Sequence, residues 1–377
     1  MQIKQIKTYH VRSDLEEPFG FSQFYYNQRE NLLVEIITDS GLTGWGECYG
    51  PARPIREAIH SCLEQFVVEK DPFNTEEIWH VCWQRFLDHA RHGTIMAALS
   101  GIDIALWDLK GQITGLPVYK LLGGSPVSKI PCYATGHYFR ELKEETLLKT
   151  IILEAEQNIT AGFKALKLKI GKNFNFDCKV IDGVRKEFPE AFLMADANHA
   201  YNFNEAVRIG RKLDENRYSF FEEPLAPHHF NEYKQLRAKI DLAIATGECE
   251  QTRYGFKQLI DSSGVDILQP DLAYCGGISE ALKIRAIADA SGLSVTPHAW
   301  GTWIGFSAAL HFHATAPSNP GRYESEPIFL EYDSSENPVK DKTFDEKVEI
   351  EEGFAVIPNR PGLGIRVNKS QLRKFEV

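Results

Sequence analysis

Paired-cysteine motifs are missing from this chain. Its seven cysteines (Cys48, Cys62, Cys82, Cys132, Cys178, Cys249 and Cys275) are scattered, odd in number and never spaced as CxxC. That argues against a disulfide framework and suggests no zinc site; a reducing compartment fits best. Basic charge is also in deficit: 42 Lys and Arg face 52 Asp and Glu, a net charge of −10. Nucleic-acid binders need a concentrated basic footprint, so no nucleic-acid partner is expected and a small molecule is the better candidate. Long hydrophobic runs are lacking as well, and the apolar and charged fractions, 43% and 25%, match ordinary globular usage rather than disorder or a membrane protein. The opening MQIKQIKTYHVRS alternates like a strand and has no apolar core or small-residue cleavage site. A cytoplasmic protein with no membrane partner is therefore expected. No low-complexity linker interrupts the chain.

The length of 377 residues favours two domains or one large barrel with an appendage. From Asn31, NLLVEIITDSGLTGWGECYG reads as two strands joined at Asp39-Ser40-Gly41, a hairpin. Ile95, Leu99, Ile102, Leu106 and Leu109 recur at three- and four-residue steps, predicting a helix with one buried face and Gly111 near its end. The first 125 residues thus read as an α+β domain. Short apolar strands then alternate with amphipathic stretches: IPCYATG, ALKLKIG, FLMADAN, SFFEEP, LAIATGE, VDILQPD and SVTPH. Regular alternation implies parallel pairing, and so many units close most naturally into a barrel, with an open doubly wound sheet as the alternative. Polar residues mark the strand ends at Lys169, Asp196, Glu222, Glu248, Asp271 and His298, in steps of 27, 26, 26, 23 and 27 residues. A barrel unit occupies roughly 30 residues, so each strand ends in one chemically able side chain on the face where barrel enzymes place their chemistry. The tail after 331 is loop-rich.

Asp196, Glu222 and Glu248 end three consecutive strands about 5 Å apart, so their carboxylates can converge. Three clustered anions repel unless a cation joins them, and hard oxygen ligands with open positions select Mg²⁺. Singly, each would more often be a capping or solvated residue; their shared phase reverses that reading. Lys167 and Lys169 flank Leu168, and the two-residue strand period puts both ammonium groups on one face. There they should depress each other's pKa, making one a usable general base. Asp271 and His298 end neighbouring strands, close enough for the carboxylate to fix the imidazole tautomer. His89, His92, His228, His229, His311 and His313 fall outside this phase and read as surface or packing residues.

With KLK at 167–169, DAN at 196–198, EEP at 222–224, Gly247-Glu248, Asp271 with His298, Glu331 in FLEYD and the helix ending ALWDLKG, the chain resembles the mandelate racemase-like subgroup of the enolase superfamily over nearly its whole length. The resemblance implies a modified TIM barrel of (β/α)7β type (residues 126–331), capped by the α+β domain (1–125) and a returning C-terminal segment (332–377). It makes Lys169 a base tuned by Lys167, Glu222 rather than Glu223 the ligand of EEP, Glu331 the strand-eight glutamate with Glu324 as competitor, and Asn198 a substrate-carboxylate contact. Loops near Phe19 to Tyr26 and Tyr49 to Pro54 would select the substrate, with Tyr26, Tyr49 and Trp303 as contacts. Tyr133, Tyr138 and Trp300 also lie near strand ends.

The implied chemistry is Mg²⁺-assisted removal of the proton beside a substrate carboxylate. Lys169 or His298 would take that proton and Glu331 would donate to a carboxylate oxygen. If carbon 3 bears a hydroxyl, His298 can protonate it as it leaves, giving a 2-keto-3-deoxy acid from an acid sugar. Without a leaving group the opposed base returns a proton, giving racemisation or epimerisation; cycloisomerisation runs through the same enediolate. A metal- and ligand-binding homologue without turnover is the non-enzymatic alternative. A homo-oligomer is expected.

Overall fold

The structure, a computed structural model, describes residues 1–89, 91–125, 127–316 and 328–377. Strand β1 (Ile3–Gly20) pairs antiparallel with β2 (Tyr25–Thr38), and β2 with β3 (Thr43–Cys48). The hairpin turn falls at Asp39-Ser40-Gly41 as the sequence predicts, with Gly41 in the left-handed region at φ 83° that residues with a Cβ avoid. Behind this sheet lies the helix Thr94–Thr114, closed by Gly115 at φ 70°. It runs three residues past Gly111, and its burial is wider than one face. Leu99, Ile102, Leu106 and Leu109 pack into the cap, while Asp103 accepts from the Ser279 hydroxyl and backbone N–H at 2.6 and 2.9 Å on the barrel side. The helix meets β3 through glycine: a Cβ on Gly46 would lie 1.9 Å from the Gly101 carbonyl oxygen.

Strands β4 (Lys129–Thr135), β5 (Ala165–Lys169), β6 (Phe192–Asp196), β7 (Phe220–Glu222), β8 (Ala243–Thr246), β9 (Ile267–Leu268), β10 (Ser294–Val295) and β11 (Leu330–Asp333) are parallel. They follow one another in space in chain order, and β11 returns to pair with β4. Between β10 and β11 the ring is joined by the Ala299 N–H donating to Glu331 Oε2 at 3.0 Å. Helices 144–160, 174–187, 203–215, 230–237, 252–261, 277–290 and 303–314 separate the strands, giving the (β/α)7β barrel. An open doubly wound sheet is excluded, because its first and last strands would not meet.

The two-residue strand period sorts the barrel's side chains. Leu166, Leu168, Leu193, Ala195 and Phe221 pack outward into the helix layer. Tyr133, Ala165, Met194, Phe220, Ala245 and Phe329 form a separate apolar plug inside the barrel. One inward step above that plug stand Lys167, Asp196 and Glu222, so the same alternation that fills the barrel floor lifts the polar residues to its mouth. The segment after β11 runs back to the cap: Val377 N–H donates to the His10 carbonyl at 3.0 Å and Arg12 N–H to that of Phe375 at 2.8 Å. No helix among the described residues is long and apolar enough to cross a membrane.

Candidate active site

Asp196 and Glu222 are the last residues of β6 and β7, in register with each other and with Lys169 of β5. Glu248 stands two residues beyond β8, across Gly247 at φ 129°. All three are buried, and one oxygen from each lies within 4.8 Å of the others. Three hard anionic donors converging in a buried site suit an oxygen-preferring divalent cation with coordination positions left over. Burial raises the Glu222 carboxyl, and Asp196, Glu331 and Glu248 add to the rise against the opposing pull of Lys167. Asp196 goes the other way: burial would raise it, but Lys169 and Lys167 hold it down at about 2.

The two lysines do not behave as their spacing alone implies. Lys167 Nζ sits 2.5 Å from Glu222 Oε1 and 2.6 Å from Glu331 Oε1; Lys169 Nζ donates to Asp196 Oδ2 at 2.5 Å and Asn198 Oδ1 at 2.9 Å. Burial pushes both ammonium groups down, yet the carboxylates outweigh it and hold both above the ordinary lysine range. The expected mutual depression is therefore corrected. Lys167 does lower Lys169, but Asp196 raises it more, because opposite charges in hydrogen-bond contact dominate like charges farther apart.

Across the mouth, His298 Nδ1 lies 2.6 Å from Asp271 Oδ2. A carboxylate can only accept, so the proton sits on Nδ1, leaving Nε2 for chemistry. That Nε2 is 3.5 Å from Glu248 and 3.9 Å from Glu331. Burial pushes the imidazole down, but Glu248, Glu331 and Asp271 together raise it to about 10. Glu331 is an acceptor here rather than the proton donor expected: burial would raise it, but Lys167 and His298 hold its carboxyl below the ordinary range. Its competitor Glu324 lies outside the described residues.

Lys169, Asn198, Glu248, His298 and Glu331 line one cavity, walled by Phe21, Tyr26, Tyr49, Thr135, Tyr138 and Trp300. The hairpin turn between β1 and β2 bends over the barrel mouth, held by Ser22 Oγ and Gln23 Nε2 donating to the Asn198 carbonyl at 2.9 and 2.7 Å. Tyr49 follows β3, tied by its N–H to the Ala273 carbonyl at 3.0 Å, with its ring 5.6 Å from that of His298. Trp303 is not brought there. It is the first residue of the helix 303–314 and packs on Phe306 and Tyr332 beneath the loop; Trp300, three residues earlier and before the helix begins, supplies the indole instead. Of the histidines set aside, His89, His92, His228 and His229 are exposed, whereas His311 and His313 are buried in packing.

Two neighbours of the site escaped the sequence reading. Gln269 Nε2 donates to Glu222 Oε2 at 2.6 Å; it precedes Asp271 by one strand period, a signal available in QPD. Arg29 carries its guanidinium 4.2 Å from the Trp300 ring and 2.7 Å from Asp333. Its separation from Asp333 by 304 residues left no local sign of that partnership.

Residues 3–123 match the mandelate racemase / muconate lactonizing enzyme N-terminal domain, and residues 151–371 match the enolase C-terminal domain-like family. The chain is 37% identical to a D-galactarolactone cycloisomerase of Agrobacterium fabrum, over 100% of this chain and 99% of that one. It is 32% identical to an arabinonate dehydratase of Saccharolobus solfataricus, over 99% of each. Among solved structures, the 3,6-anhydro-D-galactonate cycloisomerase from Zobellia galactanivorans superposes with a TM-score of 0.90 at 37% identity, covering 100% of both chains. An L-talarate/galactarate dehydratase mutant liganded with Mg and L-glucarate does so with 0.86 at 28% identity, over 100% of this chain and 92% of that one. The chain belongs to the mandelate racemase / muconate lactonizing enzyme family of the enolase superfamily, within its mandelate racemase-like subgroup.

Proposed function

We propose that this protein is an Mg²⁺-dependent acid-sugar dehydratase, removing the proton alpha to a carboxylate and eliminating the 3-hydroxyl to give a 2-keto-3-deoxy acid. The observation that carries this reading is the placing of Lys169 and His298 on the wall of one cavity beside three convergent carboxylates. Asp196, Glu222 and Glu248 would hold Mg²⁺, which supplies electrostatic stabilisation of the negative charge that builds on the substrate carboxylate. Lys169 would take the α-proton at Nζ in its neutral form, reached when Asp196, whose charge holds the ammonium protonated, is engaged by the cation, with Asn198 Oδ1 orienting the amine. Lys167, locked between Glu222 and Glu331, fixes the geometry of both carboxylates. Glu331 and the Ala299 N–H bound to it position the strand-eight side of the pocket. His298, its Nδ1 proton tied to Asp271, delivers a proton from Nε2 to the 3-hydroxyl as the carbon–oxygen bond breaks, so that water leaves. Tyr26 and Tyr49 wall the site from solvent and meet the distal part of the acid.

A second reading, cycloisomerisation, is favoured by the two relatives that are 37% identical over the whole chain. The proton chemistry is the same. Where the leaving oxygen is part of a ring, breaking the bond opens the ring and no water is lost. One experiment separates the readings: incubate open acid sugars, their lactones and anhydro acids with the enzyme and Mg²⁺ in deuterated water. After allowance for the deuterium taken up from solvent at the carbon that carried the leaving oxygen, a keto product lighter than its substrate by one water is the dehydratase and a keto product isomeric with its substrate is the cycloisomerase. Deuterium exchange without any keto product means racemisation or epimerisation, and no exchange from any acid refutes catalysis. The same reading takes residues 1–125, 126–331 and 332–377 as cap, barrel and returning segment. It also includes a cytoplasmic homo-oligomer acting on a small-molecule carboxylate, which light scattering tests for subunit number.

A further inference from the structure

Immediately beside the three carboxylates lies a second convergence of ligand atoms that the proposed reaction does not use. His199, Glu223 and Cys249 sit in the loops after β6, β7 and β8, and one donor atom from each lies within 4.8 Å of the others. Two of these residues directly follow Glu222 and Glu248, so the loops that aim the first set inward necessarily aim the second. The backbone is committed to this arrangement: His199 and Glu223 adopt left-handed φ of 66° and 41°, conformations rare and costly for residues with a Cβ. The His199 N–H donates to the Glu223 carbonyl at 2.8 Å.

The imidazole is prepared as a ligand. His199 Nδ1 is 3.2 Å from the Leu225 carbonyl, which can only accept, so the tautomer protonated at Nδ1 is the one that would offer Nε2 to a cation in place of the contact Nε2 makes with Glu223. A backbone carbonyl fixing the tautomer through the far nitrogen is the usual support of a metal-binding histidine. That Nε2 is 3.1 Å from Glu223 Oε2 and 3.6 Å from Cys249 Sγ, two further electron-pair donors. An independent observation points the same way: Glu223 is fully buried and its other oxygen, Oε1, has no hydrogen-bond partner. A buried carboxylate oxygen left unpaired is costly. Cys249 is exposed, so the cluster has an entry path.

We propose that His199, Glu223 and Cys249 form a second cation site, selective for a borderline ion of the Zn²⁺ class, distinct from the all-carboxylate Mg²⁺ site. One nitrogen, one oxygen and one sulfur ligand match zinc's preferences and leave a fourth position for water. Magnesium, which avoids sulfur and demands oxygen ligands, is excluded there. The spacing of these residues in sequence resembles no zinc motif because the three donors come from three different strand ends.

The test uses the full chain held in excess Mg²⁺ and titrated with Zn²⁺ or Co²⁺. We expect one additional tightly held Zn²⁺ per chain by metal analysis after dialysis. Bound Co²⁺ should show a thiolate-to-cobalt charge-transfer band in the near ultraviolet. Cys249→Ser should abolish the band, His199→Gln should weaken Zn²⁺ binding at least tenfold, and Glu222→Gln should retain the band because it belongs to the other site. Absence of the band in the wild-type protein, or its survival in Cys249→Ser, overturns the proposal and leaves His199 and Glu223 as an ion pair. The wild-type spectrum and stoichiometry decide the matter even where a variant fails to fold.

Discussion

Arg29 joins the cap to the barrel at the edge of the site, and replacing it with methionine tests how much of the active-site wall rests on that junction. Its guanidinium donates to Asp333 at 2.7 Å, to Ser335 Oγ at 2.6 Å and to the Glu336 carbonyl at 2.9 Å, and lies 4.2 and 5.1 Å from the Trp300 and Phe19 rings. Both charged partners are buried, at 2% and 3% exposure. Removing one member of a buried pair leaves an uncompensated charge and costs about 3–5 kcal/mol. Lys340 and Ser335, which also hold Asp333 down, place the expected loss near the lower end, about 3 kcal/mol. Removing both charges, as Arg29→Met with Asp333→Leu, should cost far less than the two single losses combined, because an apolar pair of similar volume replaces a desolvated one. The freed Trp300 also loses a desolvated cation–π contact worth about 1–2 kcal/mol, so KM should rise roughly 5- to 30-fold with a smaller change in kcat.

Acid titration gives an independent check on the same pair. Burial would raise Asp333, but Arg29, Lys340 and Ser335 hold it below its ordinary range. A depressed carboxylate contributes stability that is complete above its unfolded value and lost as pH falls through its folded one. Wild-type stability should therefore drop on acidification below about 4, and the drop should be shallower in Arg29→Met. Urea unfolding followed by circular dichroism, at saturating Mg²⁺ and several pH values, measures both effects. A loss under about 1 kcal/mol in Arg29→Met, or strict additivity in the double variant, would refute the argument.

Three further outcomes are expected. Glu222→Gln should weaken Mg²⁺ binding roughly tenfold or more and lower activity with it; calorimetric titration showing unchanged affinity would remove Glu222 from the ligand set. His298 must be protonated to act as the acid, so activity is lost as pH rises through its pKa, which Asp271 helps to raise. Asp271→Asn should thus move the alkaline limb of the kcat/KM profile to lower pH, by roughly one unit, and an unmoved limb would separate Asp271 from the imidazole. Gly46→Ala drives a methyl group into the Gly101 carbonyl and should cost about 3 kcal/mol or more of stability, read as a lower thermal midpoint; a neutral effect would mean that helix 94–114 can move off β3.

Periodicity and spacing by themselves favoured a parallel barrel over an open sheet and gave the inward phase of Lys167, Lys169, Asp196, Glu222, Asp271 and His298, while the strand order and the closure of β11 on β4 came from the structure. A strand's two-residue alternation is a local rule, and parallel strands joined by helices leave few topologies to choose among. Tertiary structure alone decided everything that depends on side chains from distant strands meeting. It set the charge balance that holds both lysines up, since their carboxylate partners arrive from β6, β7 and β11. It chose Trp300 over Trp303 for the pocket wall, since the helix start at Trp303 turns that indole beneath the loop. It joined Arg29 to Asp333 and gathered His199, Glu223 and Cys249, pairings separated by 304 residues in one case and spread over three loops in the other. Energies of contact fall off over a few ångströms of space, and sequence separation carries no record of them.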